Sequence, residues 1–346
     1  MSHAPFVWAA ETHVGLHRSH NEDRYDVFSC PLGTVFIVCD GMGGHAAGDV
    51  AATIAIQKVK EILETATSDF PISYWLRRAL FHAHYGIQMY AQQQYGVGGM
   101  GTTAVVLLMA PSGEAWWAHT GDSRLYLLRE KVLHRLTHDH SYVSLLVDSG
   151  YITPEAAFGH PQSNQLLFTL GSSSYAVVDA STYPFRVRKG DIFLLCSDGV
   201  SGLIPDSHIA EKLEAKASLV DRTKALIHSA LQAGGYDNAT ALTVEITYEP
   251  QNSSSSPKHS GKAIWVTIAV SVVALLIGFL LGQVVSLTDD KPPHNQSGQS
   301  GLRRDTALPS AMTKKDSLSG STGHKPLSDT VSHSHSPTTA NKARKP

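Results

Sequence analysis

Acidic residues set at the ends of apolar runs are the groups in this chain best suited to chemistry. Asp40 follows the run VFIVC at 35–39, Asp198 follows DIFLLCS at 191–197, Glu22 and Asp23 stand in the polar loop GLHRSHNEDR at 15–24, and Asp237 precedes Asn238. A surface scatters Asp among Lys partners, whereas acids that cap buried strands and converge repel one another unless cations neutralise them. No His or Cys accompanies these acids at metal-ligand spacing, so the ligand set is all oxygen, which favours Mg²⁺ or Mn²⁺ over Zn²⁺ or Cu²⁺. The glycines after Asp40 and Asp198 let backbone approach an ion closely. Each Asp-Gly pair taken alone is an ordinary turn.

The elements that must position these groups can be read from hydrophobic period. Strands are expected at 4–12, 25–29, 33–39, 102–109, 114–120, 124–129, 132–136, 177–183, 191–196 and 239–246, and the run at 33–39 is apolar throughout, as for a strand buried on both faces. Asp40 is expected at the end of that strand, where a Gly-rich turn opens. Helices are expected at 49–65, 73–95 and 208–233. The second of these carries Leu76, Leu80, Ala83 and Ile87 at helical spacing, a core-facing stripe. The segment 141–171 reads as a mostly helical, polar flap interrupted by Gly150, Pro154 and Pro161. Short strands in succession indicate an antiparallel meander, and the class is α+β, with helices covering packed sheets. GVGGMG at 96–101 is a literal GxGxxG, but it follows a helix and precedes a strand, the reverse of the dinucleotide-binding order.

Seven motifs stand in order: NEDR at 21–24, DGMGG at 40–44, MGTT at 100–103, GDSR at 121–124, LTHDHS at 136–141, SDG at 197–199 and DN at 237–238. Together they resemble the metal-dependent PP2C (PPM) family of protein serine/threonine phosphatases in its bacterial form, over roughly residues 6–248. The resemblance implies an α-β-β-α sandwich of two antiparallel sheets flanked by helices. It implies that Asp40 bridges two Mn²⁺ or Mg²⁺ ions, with the Gly41 carbonyl and Glu22 on one and Asp198 and Asp237 on the other. Asp23 would hold an ion-bound water, and Asp122 would share a third, weaker ion with Asp198. Arg18 stands where the family has its phosphate-binding arginine. The reaction implied is in-line attack on phosphoserine or phosphothreonine by a metal-activated water, with no covalent enzyme intermediate.

Two positions depart from the family pattern. Animal members carry a His after the Asp-Gly pair, a proposed general acid, where this chain has Met42. His17, His20 and His45 are nearby alternatives, each more simply a surface histidine. Bacterial relatives often place an Arg in the flap where this chain reads LFTLG at 167–171, a difference that bears on substrate selection and not on the ions. The rival to an enzyme is a catalytically silent, membrane-anchored phosphoprotein-binding module, and such a module is expected to have lost ligands that are all present here.

Composition changes after residue 248. A Ser-rich linker at 250–262 leads to 25 uncharged residues at 263–287, and about 20 apolar residues suffice to cross a bilayer as a helix. Too long and too distant from the N-terminus for a signal peptide, this run reads as a single transmembrane helix. Lys258 and Lys262 precede it and Lys291 follows it, so the catalytic domain at 1–249 is expected in the cytoplasm and the tail outside. The tail, 288–346, is disordered by composition, with nine Lys/Arg against five Asp/Glu, leaving 19 against 25 for residues 1–287. That acidic balance excludes a nucleic-acid binder by charge. GFLLG at 278–282 is a GxxxG motif through which the span could dimerise. Cys30, Cys39 and Cys196 lack CxxC spacing, as expected for a reducing compartment. Phosphorylated Ser/Thr proteins and a Ser/Thr kinase of the same pathway are the expected partners.

Overall fold

The third strand shows how the sequence divides the molecule into layers. Val35, Ile37 and Cys39 face one core and Phe36 and Val38 face another, all five fully buried, because successive strand residues point to opposite faces. A strand of this kind needs cover on both sides.

The computed structural model describes residues 6–43, 47–93 and 99–247. The strands are β1 (Phe6–His13), β2 (Asp23–Cys30), β3 (Gly33–Met42), β4 (Gly101–Thr102), β5 (Ala104–Met109), β6 (Glu114–Thr120), β7 (Arg124–Arg129), β8 (Val132–Arg135), β9 (Asp179–Ala180), β10 (Phe185–Arg186), β11 (Ile192–Cys196) and β12 (Ala239–Ile246). The helices are α1 (Ala47–Glu64), α2 (Ile72–Gln93), α3 (Tyr142–Asp148), α4 (Pro154–Ala157), α5 (Asp198–Ser201), α6 (Asp206–Glu214) and α7 (Leu219–Gln232).

Two antiparallel sheets result. One has the order β1-β12-β11-β7-β8, and the other β10-β6-β5-β3-β2, with β4 paired to β3 and β9 to β6. Their inner faces share a core built from Phe36, Leu107, Leu125, Phe193 and Leu242. The outer face of the second sheet is covered by α1 and α2, whose Ala51, Ala55, Val59 and Leu63, and Leu76, Leu80, Ala83 and Ile87, are buried at helical spacing. The outer face of the first is covered by α5, α6 and α7 through Val200, Ile209, Leu213 and Leu226. The order of layers is therefore helix, sheet, sheet, helix.

Several sequence expectations change. The helix expected at 208–233 is two, α6 and α7. No Gly or Pro marks the break. It is made by the Ser218 side chain, which caps α7 by accepting from the Asp221 N–H at 3.1 Å, and by buried Arg222, which donates to the Leu213 carbonyl at the end of α6. The flap is less helical than its pattern suggests, with helix only in α3 and α4. The strand expected at 177–183 shrinks to β9, because Pro184 and the turn around it re-aim the chain so that Phe185–Arg186 pairs with β6 separately.

Among the described residues, no helix is long and apolar enough to cross a membrane. The linker, the apolar run at 263–287 and the tail lie outside the described residues.

Candidate active site

Five segments meet at one end of the sandwich. The β1–β2 loop brings Arg18 and Glu22, β3 brings Asp40 and Gly41, the β6–β7 turn brings Asp122, the start of α5 brings Asp198, and the α7–β12 turn brings Asp237. These seven residues line one cleft of about 680 Å³. Asp23 alone of the expected site residues does not line it. Paired directly opposite Asp40 across β2 and β3, it lies buried behind the cleft and accepts the Ser197 hydroxyl at 2.7 Å.

Asp40 is held on both sides. It was expected at a strand end, but β3 runs on through Met42, because Gly41 and Met42 pair with Thr102 and Gly101. The Asp40 N–H donates to Thr103 Oγ1 at 3.0 Å, and the Asp40 carbonyl accepts from the Thr103 N–H and the Thr102 hydroxyl, each at 2.8 Å. Gly41 is required by crowding: a Cβ there would stand 2.1 Å from the Gly48 carbonyl oxygen and 2.7 Å from that of Glu22. Asp198, which the sequence presents as an echo of Asp40, differs locally. Its strand ends at Cys196, and Asp198 is the first residue of α5.

Further residues of the same motifs position the acids. Asn238, 5% exposed, accepts the Glu22 N–H at 2.8 Å and donates to the Val14 and His20 carbonyls at 2.8 and 2.9 Å, fastening the β1–β2 loop over β12. Thr103 and Ser123 share a buried hydroxyl contact of 2.7 Å beneath Asp40. A buried side-chain amide or hydroxyl beside a run of acids is the signal that marks such residues.

Charge in the cleft is lopsided. Among the described residues that line it, Arg18 carries the one positive charge, and its guanidinium pairs with Asp237 at 2.7 Å, the two side chains 51% and 30% exposed. Burial first, and then the neighbouring carboxylates, push Asp40 and Asp122 well above the usual carboxylate range. Burial and then Asp237 raise Asp198 to about 6, and burial raises Asp23 to about 7 against the opposing Ser197 hydrogen bond. Asp23 Oδ1 and Asp198 Oδ1 are buried oxygens with no hydrogen-bond partner. Orphaned carboxylate oxygens in an all-oxygen cluster fit hard divalent cations, which hold both the charge and the lone pairs. Among the described residues, no histidine lines the cleft: His17 stacks on Tyr236 with ring centroids 4.9 Å apart, His20 does not reach it, and His45 lies outside the described residues. Leu167, Phe168 and Thr169 of the flap form part of its wall, and Leu170 exchanges backbone hydrogen bonds with Thr102 at 2.9 and 3.0 Å.

These shifts set a pH dependence. A carboxyl whose pKa is raised on folding keeps a proton that the unfolded chain has released. Its contribution is present below an unfolded value of about 3.9 and is lost as pH rises through the folded values of about 6 for Asp198 and about 7 for Asp23. Thermal unfolding of chelator-treated protein should therefore show Tm falling between about pH 5 and about pH 8, and saturating Mn²⁺ should flatten the decline. A Tm of the chelated protein that stays level or rises across this window would contradict the assignment.

Residues 16–242 match the family described as Protein phosphatase 2C. The serine/threonine phosphatase stp of Listeria monocytogenes is 39% identical over 247 residues, 70% of this chain and 95% of the relative. The structure of serine/threonine phosphatase Stp1 from Staphylococcus aureus is similar with a TM-score of 0.65 at 32% identity, covering 70% of this chain and 95% of that one. The catalytic domain of the serine/threonine protein phosphatase PstP, solved in complex with two manganese ions, is similar with a TM-score of 0.59 at 32% identity, covering 70% of this chain and 98% of that one. The matched region takes in every residue of the cleft named above, and the chain belongs to the protein phosphatase 2C family.

Proposed function

We propose that this chain is a metal-dependent protein phosphatase that hydrolyses phosphoserine and phosphothreonine on other proteins. The observation that carries the reading is the convergence of Glu22, Asp40, Gly41, Asp122, Asp198 and Asp237 on one cleft, with unpartnered buried oxygens on Asp198 and on Asp23 behind it. The two manganese ions of the PstP structure support Mn²⁺ or Mg²⁺ as the cofactor. Glu22, Asp40 and the Gly41 carbonyl would hold one ion, Asp40, Asp198 and Asp237 the other, and Asp122 with Asp198 a third, with Asp23 reaching through water. Such ions supply a water of lowered pKa and a clamp on the phosphoryl oxygens.

The protein's own groups divide the remaining work. Arg18 stands on the rim and offers two N–H donors in a fork that matches two phosphate oxygens. Its pair with Asp237 must open for both residues to act. Met42 follows the Asp-Gly pair, and among the described residues no histidine lines the cleft, which favours water over His17 or His20 as the source of the proton for the leaving alkoxide. Leu167 and Phe168 add apolar surface to a flap side that also carries Asn164, Thr169, Ser172, Ser173 and Ser174, so this wall offers both apolar contact and hydrogen-bonding partners to residues beside the phosphorylated position. The silent binding module is disfavoured by the completeness of the acidic set.

We also assign the run at 263–287 to a single span of the cytoplasmic membrane, with the catalytic domain inside and the tail outside, acting opposite a Ser/Thr kinase of the same pathway. The lysines at 258 and 262 support that orientation, and GFLLG supports pairing of spans.

Activity of the full-length protein on p-nitrophenyl phosphate and a phosphothreonine peptide should require Mn²⁺. Loss of one bridging carboxylate in Asp40→Asn should lower kcat about 10³-fold, a loss of several kcal/mol of transition-state stabilisation. Full activity in chelator, or an Asp40→Asn variant as fast as the parent, would refute the phosphatase reading. For the anchor, protease added to spheroplasts should trim the tail and spare residues 1–249; digestion of the catalytic domain with the tail protected would reverse the orientation.

A further inference from the structure

A second group of ligating side chains lies apart from the acidic cleft. His119 on β6 and Asp179 on β9 are directly opposed in an antiparallel pair, so their side chains share a face. His140, beyond β8, is brought to them by backbone: its N–H donates to the Gly121 carbonyl at 2.9 Å. The two imidazole centroids are 4.7 Å apart, His140 Nε2 is 3.3 Å from Asp179 Oδ2, and one ligand atom from each of the three residues lies within 4.8 Å of the others. Among the described residues, no other His, Cys, Asp and Glu side chains gather this tightly, the cleft's carboxylates included. Neither histidine nor Asp179 lines that cleft.

The decisive detail is His119. Its ring is fully buried, and Nε2 donates to the His138 carbonyl at 2.8 Å, which fixes the tautomer and leaves a lone pair on Nδ1. That Nδ1 is a buried atom with no partner. A donor bond from one ring nitrogen to a backbone carbonyl, with the other nitrogen free, is how proteins orient a metal-binding imidazole. Burial first, and His140 second, lower the His119 pKa to about 4, so the ring is neutral at physiological pH. A hydrogen-bonded triad in which His140 Nε2 donates to Asp179 accounts for two of the three residues and leaves His119 Nδ1 unexplained.

We propose that His119, His140 and Asp179 form a binding site for a transition ion of the zinc class. Two imidazole nitrogens and one carboxylate oxygen suit Zn²⁺, Co²⁺ or Ni²⁺ and not Mg²⁺, and a fourth position stays open on the side where Asp179 is 53% exposed. On loading, the hydrogen of the His140 ring moves from Nε2 to Nδ1, at the expense of the long 3.3 Å contact from the Gly121 N–H. The ion would tie together the segments that flank the cleft. Gly121 precedes Asp122, and the His140 carbonyl accepts from Leu167 of the flap at 2.8 Å.

The test is a Co²⁺ titration of the full-length protein in mild detergent, with Mg²⁺ in large excess to occupy the acidic cleft. One equivalent of Co²⁺ should give the strong visible absorption of a tetrahedral nitrogen–oxygen site, and one equivalent of Zn²⁺ should abolish it. The band should vanish in His119→Ala and persist in Asp40→Asn. Because a buried-histidine variant can fail to fold, Asp179→Asn, altered at an exposed side chain, is measured alongside and should bind Co²⁺ at least about tenfold more weakly. Absence of the band in the parent overturns the proposal. So does a band that survives in both His119→Ala and Asp179→Asn, or that disappears in Asp40→Asn.

Discussion

Repulsion between buried carboxylates is the constraint around which this molecule is built. Asp23, Asp40, Asp122 and Asp198 all have raised pKa values, each first because water is excluded and then because further acids stand near. An isolated chain would separate such groups. Here Asp23 opens β2, Asp40 lies within β3, Asp122 sits in the β6–β7 turn and Asp198 opens α5, so separating them would require unmaking the two sheets. The electrostatic penalty is thereby converted into affinity for divalent cations, whose charge density offsets the crowded carboxylates. Arg18, the one basic side chain among the described residues that line the cleft, is more than half exposed and pairs with Asp237.

The sandwich supplies the rigidity that this arrangement needs. Phe36 and Val38 on β3 lie in the core between the sheets, and the same alternation carries Asp40 to the mouth of that core. Thr102 and Thr103 close on its backbone from one side, and Asn238 fixes the loop of Glu22 from the other. The acids therefore sit on main chain held by hydrogen bonds at nearly every step. A site meant to hold two ions without side-chain rearrangement benefits from such preorganisation.

Much of this was legible in the sequence, for identifiable reasons. An apolar run ending in Asp is rare enough that Asp40 and Asp198 stand out, and their order among seven motifs specified the family, the layered fold and the cleft residues together. The strands at 114–120, 124–129 and 239–246 were read with their observed bounds, because the turns PSG and GDS bound the first two closely and Asp237 and Asn238 precede the third. The break between α6 and α7 was not legible, since no Gly or Pro marks it and Arg222 makes it from within the later helix. The continuation of β3 past Asp40 depends on a two-residue partner, Gly101–Thr102, too short to carry a pattern. His119, His140 and Asp179 escaped notice because their meeting depends on the β6–β9 pairing, which joins residues far apart in the chain.

The central claim is that the acidic cleft is a two-ion centre bridged by Asp40. Crystals of the protein grown with Mn²⁺, measured with X-rays at the manganese edge, test it directly. The account predicts two anomalous peaks about 3.5–4 Å apart on either side of the Asp40 carboxylate, with Asp198 and Asp237 around one and Glu22 with the Gly41 carbonyl around the other. A cleft without anomalous density, or a single ion that leaves Asp40 uncoordinated, would contradict it.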